Sequence, residues 1–562
     1  MIDLVLTNAT NANVDICDYV VSDDETLKIN FTNNLRVERK QQKIVTDRRG
    51  YNSFDYRNRL MRYNWKEFSE LDLQARTELL MMKMQCHYNE AINRKIINVE
   101  VIIIRVKFLL AVFDGLYKII FFALRQYPDC KYVGIYHMDR PGILIRDPEM
   151  IEDILVKNFS NFHDNDLEIK IQHDPIFGNN PFVLKGDMWK KKRIQHLSSV
   201  TPAKVKAMYP EVDACGDRMV SYLNKQIEKT GIFCMEALEL AARYTTDTCT
   251  AVGVNLNANS FTDGIPELRE AGRDIFEVGV LRSLKLYFMF LIPTISSFIT
   301  LRLLPKSLTQ KYTNLILQTL KYRAENNIKK NDFFDHLQEF RGEKQTVEEM
   351  TAQLGGLYID GFGTNASGIN FMIYSVAAHP DVQNRLRDEI REYIDKNNGK
   401  LTPELILEMP YLDAVVSESL RKYPPFPNIT RRCTKSYDMP KASANSSAFT
   451  IKVGTPVVIP SYTLHNDDRY FPNAEKFDPD RFLGTNKDSI IKYTYLPFGE
   501  GPRICIGMRF AIFQTKISII KLVQNFKLSV NYDKTKLPIR IHPQGLILAA
   551  TDKLWINFEK LD

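Results

Sequence analysis

The chain of 562 residues is 44% hydrophobic, 25% charged and 11% aromatic, values that exclude a collagen-like, disulfide-stapled or wholly disordered protein. Lys+Arg 75 against Asp+Glu 68 leaves a net charge of only +7, which gives no argument for nucleic acid as a partner. The eight cysteines (Cys17, Cys86, Cys130, Cys215, Cys234, Cys249, Cys433 and Cys505) show no CxxC pairing. Neither a zinc site nor a disulfide framework is indicated, and reduced thiols facing the cytosol are expected.

The first stretch, residues 1–110, differs from the rest. No proline precedes Pro128, and Gly50 and Gly115 are the only glycines before it. Arg36–Arg62 holds nine Lys/Arg against three Asp/Glu (Glu38, Asp47, Asp55), a local +6. With Tyr51, Phe54 and Tyr56 interleaved, this composition allows contact with RNA or anionic lipid, and better suits a solvated, poorly ordered tail. The tail is the preferred reading, and no nucleic acid is expected. The start, MIDLVLTNATNANVDICDYVV, has acidic residues and no basic n-region, unlike a secretory signal. Ile96–Leu124 is apolar but interrupted by Glu100, Arg105, Lys107, Asp114 and Lys118. Its charge-free pieces fall short of the roughly 20 residues that span a bilayer, so an amphipathic helix packed on the domain or on a membrane surface is predicted.

Beyond residue 110 the pattern is mainly α with a minor β-sheet, a single domain over 111–562. Lys131–Tyr136 and Gly142–Ile145 read as a hairpin, followed by a helix from Asp147. Helices are predicted over Pro202–Thr230, Met235–Val252 and Ile265–Val280, with an apolar stretch at Ser283–Leu304. A long helix from Thr346 to Ala378 opens on a T-x-x-E capping signal at Thr346 and Glu349. Helices over Asp381–Asn397, Tyr411–Lys422 and Gly507–Asn525 follow, with strand signals at Phe449–Ile451 and Thr455–Ile459, and Lys441–Ser447 reads as a mobile loop.

The most informative stretch is Leu496–Ala511, LPFGEGPRICIGMRFA, which sets Phe498, Gly501, Arg503, Cys505 and Gly507 in the order F-x-x-G-x-R-x-C-x-G. Glycines beside a cysteine let the backbone turn tightly and aim amides at the sulfur. Amide donors and an arginine are expected to lower the thiol pKa and make it a competent metal ligand. The helix opening at Gly507 adds its positive end. A lone cysteine is most often a buried structural residue; the ten-residue pattern argues otherwise.

That pattern resembles the haem-thiolate signature of the cytochrome P-450 family, and four further elements match the family in order. Glu418-Ser-Leu-Arg421 matches its ExxR motif, and with Arg481 of FDPDRF the resemblance implies a buried structural network of Glu418, Arg421 and Arg481 behind the haem loop. Trp189-Lys-Lys-Lys-Arg193 matches the W-x-x-x-R that reaches a haem propionate. Arg431 or the adjacent Arg432 falls where another propionate arginine is expected, and Arg503 would serve a propionate too. Asp360-Gly-Phe-Gly-Thr-Asn365 aligns with A/G-G-x-D/E-T-T/S through Gly361 and Thr364. There the resemblance implies that the Thr364 hydroxyl handles dioxygen and protons beside a groove opened at Gly361; a threonine bonded to its own helix is the plain alternative. The family's acidic position is Gly363 here. Asp360, four residues before Thr364, shares its helix face and is the candidate replacement.

The resemblance runs from roughly Val112 to Asp562 and is strongest with insect-type microsomal members acting on foreign compounds and hormones. It implies the P-450 fold, haem between the long helix and the cysteine loop, with heme b held by Cys505 thiolate as axial iron ligand. It also implies a monooxygenase inserting one oxygen atom of O2 into a small lipophilic substrate, with electrons from NADPH through NADPH–cytochrome reductase docking near Lys190–Lys192. Pocket walls are expected near Gln172–Val183, Phe276–Tyr287, Tyr358–Thr364 and Pro427–Ile429. The expected location is the cytosolic face of the endoplasmic reticulum membrane. Gly363 motivates an alternative, a haem-thiolate protein that binds or isomerises ligands without activating oxygen. A non-enzymatic role dominated by residues 1–110 is a third reading.

Overall fold

The computed structural model divides the chain into two units, Met1–Val99 and Glu100–Asp562. It describes residues 127–137, 140–264, 267–276, 302, 306–330, 333–338, 346–444, 446–542 and 547–561, and the strands Ile2–Asp3, Asp18–Tyr19 and Ile103–Arg105. In the first unit the described residues are one antiparallel pair, Ile2–Asp3 with Asp18–Tyr19. The basic segment Arg36–Arg62 and the apolar stretch Ser283–Leu304, Arg302 apart, lie outside the described residues. So does most of Ile96–Leu124. Its described part is not the predicted helix: Ile103–Arg105 (β1) is a strand, as β-branched residues favour.

In the second unit β1 pairs parallel with Tyr132–His137 (β2), which forms the expected hairpin with Arg140–Ile145 (β3). Two later strands, Ile429–Arg432 (β4) and Pro456–Ile459 (β5), complete a five-stranded sheet in the order β1-β2-β3-β5-β4. The sheet's far edge carries Arg431, opposite Val457. The strand β4 was missed in the sequence because its ITRR pattern carries little apolar signal. A second, antiparallel sheet joins Phe526–Val530, Trp555–Lys560 and Ile232–Glu236.

Helices make the bulk of the unit. Those that build the site and its frame are Gly186–Leu197 (α1), Tyr209–Thr230 (α2), Ala237–Val254 (α3), Val347–Ala378 (α4), Pro380–Lys396 (α5), Pro410–Lys422 (α6) and Met508–Asn525 (α7). Two predicted bounds shift for local reasons. The helix expected over Pro202–Thr230 breaks at Met208, because Pro210 has no N–H to continue the ladder and instead sits in the first turn of α2. Met235 and Glu236, expected to open a helix, end a strand paired with Trp555–Lys560.

The long helix α4 starts where the capping signal placed it. Thr346 accepts from the Glu349 amide, and the Glu349 carboxylate accepts from the Thr346 amide, a full capping box. Buried residues lie all round α4 rather than on one stripe, the pattern of a helix that runs through a core. Leu354, Ile369, Phe371, Ile373 and Val376 of α4 pack in one cluster with Leu240 of α3, Val415 of α6 and Ile517 and Ile520 of α7. Gly355 admits the short helix Pro175–Gly178: a Cβ there would meet Ile176 Cγ2 at 2.9 Å.

The ExxR pair on α6 is wholly buried. Arg421 Nε and Nη2 donate to the two carboxylate oxygens of Glu418 at 2.7 and 2.9 Å, and both side chains are 0% exposed. Arg421 also donates to the carbonyls of His465 and Ala474, and Glu418 accepts from the Asp478 amide at 2.8 Å. Arg481 joins with its Nε 3.6 Å from Glu418 and its Nη2 on the Asn473 carbonyl. Removing one member leaves the other as an uncompensated buried charge. Glu418→Ala should therefore cost about 3–5 kcal/mol in urea denaturation; a loss within about 0.5 kcal/mol would mean the network carries no stability.

Candidate functional site

The cysteine loop runs from the end of the Glu418–Arg421 network to α7. His465 links the two: its Nδ1–H donates to the Arg421 carbonyl at 3.1 Å, and its Nε2 accepts the Leu496 amide at 2.7 Å. These two bonds fix the neutral tautomer. Within the loop the Cys505 amide donates to the Phe498 carbonyl at 2.9 Å and Ile504 to the Gly501 carbonyl at 3.0 Å. Gly501 has φ +73°, and a Cβ there would come within 2.0 Å of the Leu155 carbonyl oxygen. Only glycine satisfies both conditions. Gly507 is different: its φ of −83° suits any residue, nothing stands within 4 Å of a Cβ there, and it caps α7 from the cavity wall.

A cavity of about 450 Å³ lies between this loop and α4, within the range of small-molecule sites. It brings together Cys505, Arg503, Phe498 and Gly507 from the loop side, Trp189 and Arg193 from α1, Arg431 from β4, and Asp360, Gly361 and Thr364 from α4. Gly501 and the Glu418–Arg421–Arg481 network do not line it; they shape the loop from behind. The pleat separates the two candidate arginines of β4, since neighbouring strand residues face opposite sides. Arg431 lines the cavity, whereas Arg432 turns to Asp166 and Glu168 at 2.8 and 3.2 Å.

Electrostatics in the cavity is lopsided. Burial, then the charges of Arg503 and Arg193, push Arg431 down to about 9. Burial is also the first cause that lowers Arg503 to about 10 despite Asp164 at 3.3 Å, and Arg193 repels it. Among the described residues Arg193 donates to the Ile504 carbonyl alone, at 2.8 Å. Arg431 Nε and His196 Nε2 are buried with no hydrogen-bond partner among the described residues. Three cations thus converge with too few anions to meet them.

The expectation that the loop lowers the thiol pKa is corrected by the structure. Cys505 is open to the cavity and walled by protein elsewhere, and that burial pushes its thiol up to about 11. The Gly507 and Met508 amides and the Arg193 charge pull the other way but do not win, and the Asp360 charge adds to the rise. The amides prepare the sulfur; a bound metal cation is what would deprotonate it.

On α4, Thr364 Oγ1 donates to its own helix at the Asp360 carbonyl, 2.5 Å away. The Asp360 carboxylate accepts from Asn180 Nδ2 at 2.7 Å. Burial pushes Asp360 up to about 6, with Asn180 pulling it down. At Gly361 a Cβ would crowd Cys249 Sγ at 3.1 Å. Asn180 and His196 were not singled out from the sequence: a lone amide and a lone imidazole carry no motif.

The family model described as Cytochrome P450 matches residues 108–556. The chain belongs to the cytochrome P450 family. It is 34% identical over 461 residues to Cytochrome P450 9e2 of Blattella germanica, covering 76% of this chain and 86% of that protein. It is also 34% identical over 437 residues to "Probable cytochrome P450 6a13" of Drosophila melanogaster, covering 77% and 86%. As a P450 it has the mainly helical P450 fold, binds haem through a cysteine thiolate, and is a monooxygenase served by a reductase. The residues present fit that group. Haem has an apolar ring, two carboxylates and an iron that takes a thiolate. The cavity offers apolar walls, three under-compensated arginines with an orphaned Nε, and one thiol.

Two tests follow from this geometry. Gly501→Ala should cost at least about 4 kcal/mol in urea denaturation and lower haem content; an unchanged midpoint would show that Leu155 yields easily. Burial and then the Arg421 charge press His465 down from 6.5 to about 3. A depressed histidine contributes stability that is complete above its unfolded pKa and is lost as pH falls below it. The free energy of unfolding in urea should therefore fall from neutral pH to about pH 5, by up to about 1.4 kcal/mol per pH unit from this group. His465→Gln should flatten that limb; an equally steep limb in the variant would assign it elsewhere.

Proposed function

We propose that Cys505 is the axial thiolate of the haem, and that Trp189, Arg193, Arg431 and Arg503 receive its propionates. The observation that carries this reading is the single cavity shared by one enclosed sulfur and three arginines that repel one another. Bidentate guanidinium–carboxylate bonds would satisfy those cations, including the unpartnered Arg431 Nε. Phe498, Gly501 and Gly507 hold the loop that presents the sulfur. Bound haem supplies the redox chemistry by which oxygen is inserted into substrate.

On the opposite wall, Gly361 lines the cavity with its backbone, its missing Cβ making room for Cys249 of α3, and the nearby Thr364 hydroxyl can exchange its Asp360 carbonyl bond for one to a ligand. Asp360, which burial pushes up to about 6, is the carboxyl able to hold a proton where this chain has Gly363 in place of the family's acid. The apolar part of the cavity, with Phe177, Phe182, Leu357 and Phe426, supports a lipophilic substrate, foreign compounds included.

The reading extends to the cytosolic face of the endoplasmic reticulum membrane. Its support is that the described cysteines Cys130, Cys215, Cys234, Cys249, Cys433 and Cys505 are all free thiols, as on the reducing side of a membrane. Among the described residues no helix is long and apolar enough to cross a membrane, so attachment would be carried elsewhere in the chain or by a surface. Exposed Met188 and the lysines Lys190 and Lys191 of α1 form a basic, partly apolar face suited to an acidic reductase.

The reduced carbon monoxide difference spectrum tests the ligand. Wild type should give the long-wavelength thiolate Soret band and Cys505→Ser should lose it; a band surviving the substitution would sink the assignment. With NADPH and reductase, product from no lipophilic compound despite a normal band would favour ligand binding or isomerisation without oxygen activation.

A further inference from the structure

Asp360 faces the cavity with one described hydrogen-bond partner on its carboxylate, the amide of Asn180. Asn180 is 2% exposed and belongs to the loop after the short helix Pro175–Gly178. Its orientation is not ambiguous. Asn180 Oδ1 accepts the Phe182 amide at 2.7 Å, so the NH2 group must be the one turned to Asp360.

The bond is the last link of a continuous chain. Arg431 Nη1 donates to Asn165 Oδ1 at 2.7 Å, and Asn165 Nδ2 donates to the Phe182 carbonyl at 2.9 Å. The Phe182 amide then fixes Asn180, which donates to Asp360. Both amides are oriented by charged or backbone neighbours; Arg431, Asn165 and Asn180 are buried, and Asp360 is open to the cavity. The same loop is tied to the cysteine loop, since Arg503 donates to the carbonyls of Pro181 and Leu184 at 3.1 and 2.8 Å. Asn180 therefore stands on a base anchored to the wall opposite α4.

We infer that Asn180 is a positioning residue for the oxygen-side chemistry: it holds the Asp360 carboxylate on the cavity wall, one turn before Thr364, where the acid absent at Gly363 is needed. The inference rests on the reading of Asp360 given above. A donor that can only donate favours the ionised carboxylate. It also restrains the rotation of the short Asp360 side chain. The other titratable or charged groups around are Cys505 and Arg503 on the loop, Arg193 and His196 on α1, Arg431 on β4, Asp166 and, on α3, Cys249; against the burial that raises Asp360, Asn180 is the opposing influence.

The test is infrared titration of the full-length, haem-loaded protein. The carboxylic acid C=O band of Asp360 is identified as the one lost in Asp360→Asn. In Asn180→Leu, which keeps bulk and removes the donor, the midpoint of that band should move up by about one pH unit, a tenfold change in proton affinity. Asn165→Ala, which touches neither Asp360 nor the iron ligand, should move it in the same direction by less. An unmoved midpoint in Asn180→Leu overturns the inference; if that variant fails to fold, an unmoved midpoint in Asn165→Ala does so. The carbon monoxide spectrum is recorded alongside, so loss of the thiolate band in wild type would count against the haem assignment and not against Asn180. A purely structural asparagine would change the melting temperature and leave the midpoint where it is.

Discussion

Charge can face a dry cavity only when opposite charge comes to meet it, and this cavity holds three guanidinium groups pointing at one space. Desolvation of a cation is costly in a low-dielectric interior, and mutual repulsion adds to the cost. Arg503 is partly compensated by Asp164 and by three backbone carbonyls, while among the described residues Arg193 has one carbonyl and Arg431 an amide oxygen and a carbonyl. Such an arrangement is unfavourable as a free protein and favourable once a pair of carboxylates arrives. Cys505 poses the same problem with the sign reversed, since its thiolate is opposed by burial and by Asp360. One ligand bearing a metal cation and carboxylates answers both.

The surrounding frame keeps these groups from relaxing away from the cavity. Behind the cysteine loop the Glu418–Arg421 pair uses nearly every donor and acceptor it has, and His465 carries that rigidity to the Leu496 amide at the loop's start. On the other side α4 is held along its length by α3, α6 and α7. Preorganisation of this kind places the reorganisation cost in folding rather than in ligand binding. It also explains why the network can be remote from the cavity and still govern it.

Much of this was legible in the sequence because the informative residues come in spaced patterns. The capping box at Thr346 and Glu349, the i,i+3 pair Glu418 and Arg421, and the glycine–cysteine loop each encode geometry within a few positions. What was not legible depends on contacts distant in sequence. The choice between Arg431 and Arg432 required the strand pairing that turns one toward Asp166. Asn180 is 180 positions from its partner Asp360, and neither residue type announces the meeting. The thiol pKa was misjudged for a related reason: nearby donors can be read from a motif, but burial is a property of the whole fold, and here it outweighs them. Gly501 and Gly507 look alike in the motif, yet only the first has a carbonyl, Leu155, pressed against it.

The departure at Gly363 can be weighed in the same terms. A helix repeats its face every three to four residues, so a carboxylate moved from the position before Thr364 to Asp360 returns to the cavity side one turn away. Neither the threonine hydroxyl nor the carboxylate bonds the other directly; the hydroxyl takes the Asp360 carbonyl instead. The move has a physical consequence, because the carboxylate now opposes the Cys505 charge across the cavity and is itself raised by burial. An acid in that position would stay protonated too long to cycle unless something favoured its ionised form, and Asn180 is the group placed to do so. On the proposed reading, Gly363 would leave proton handling on α4, moved one turn to Asp360, and the monooxygenase activity of the family would be compatible with a motif that lacks its usual acid.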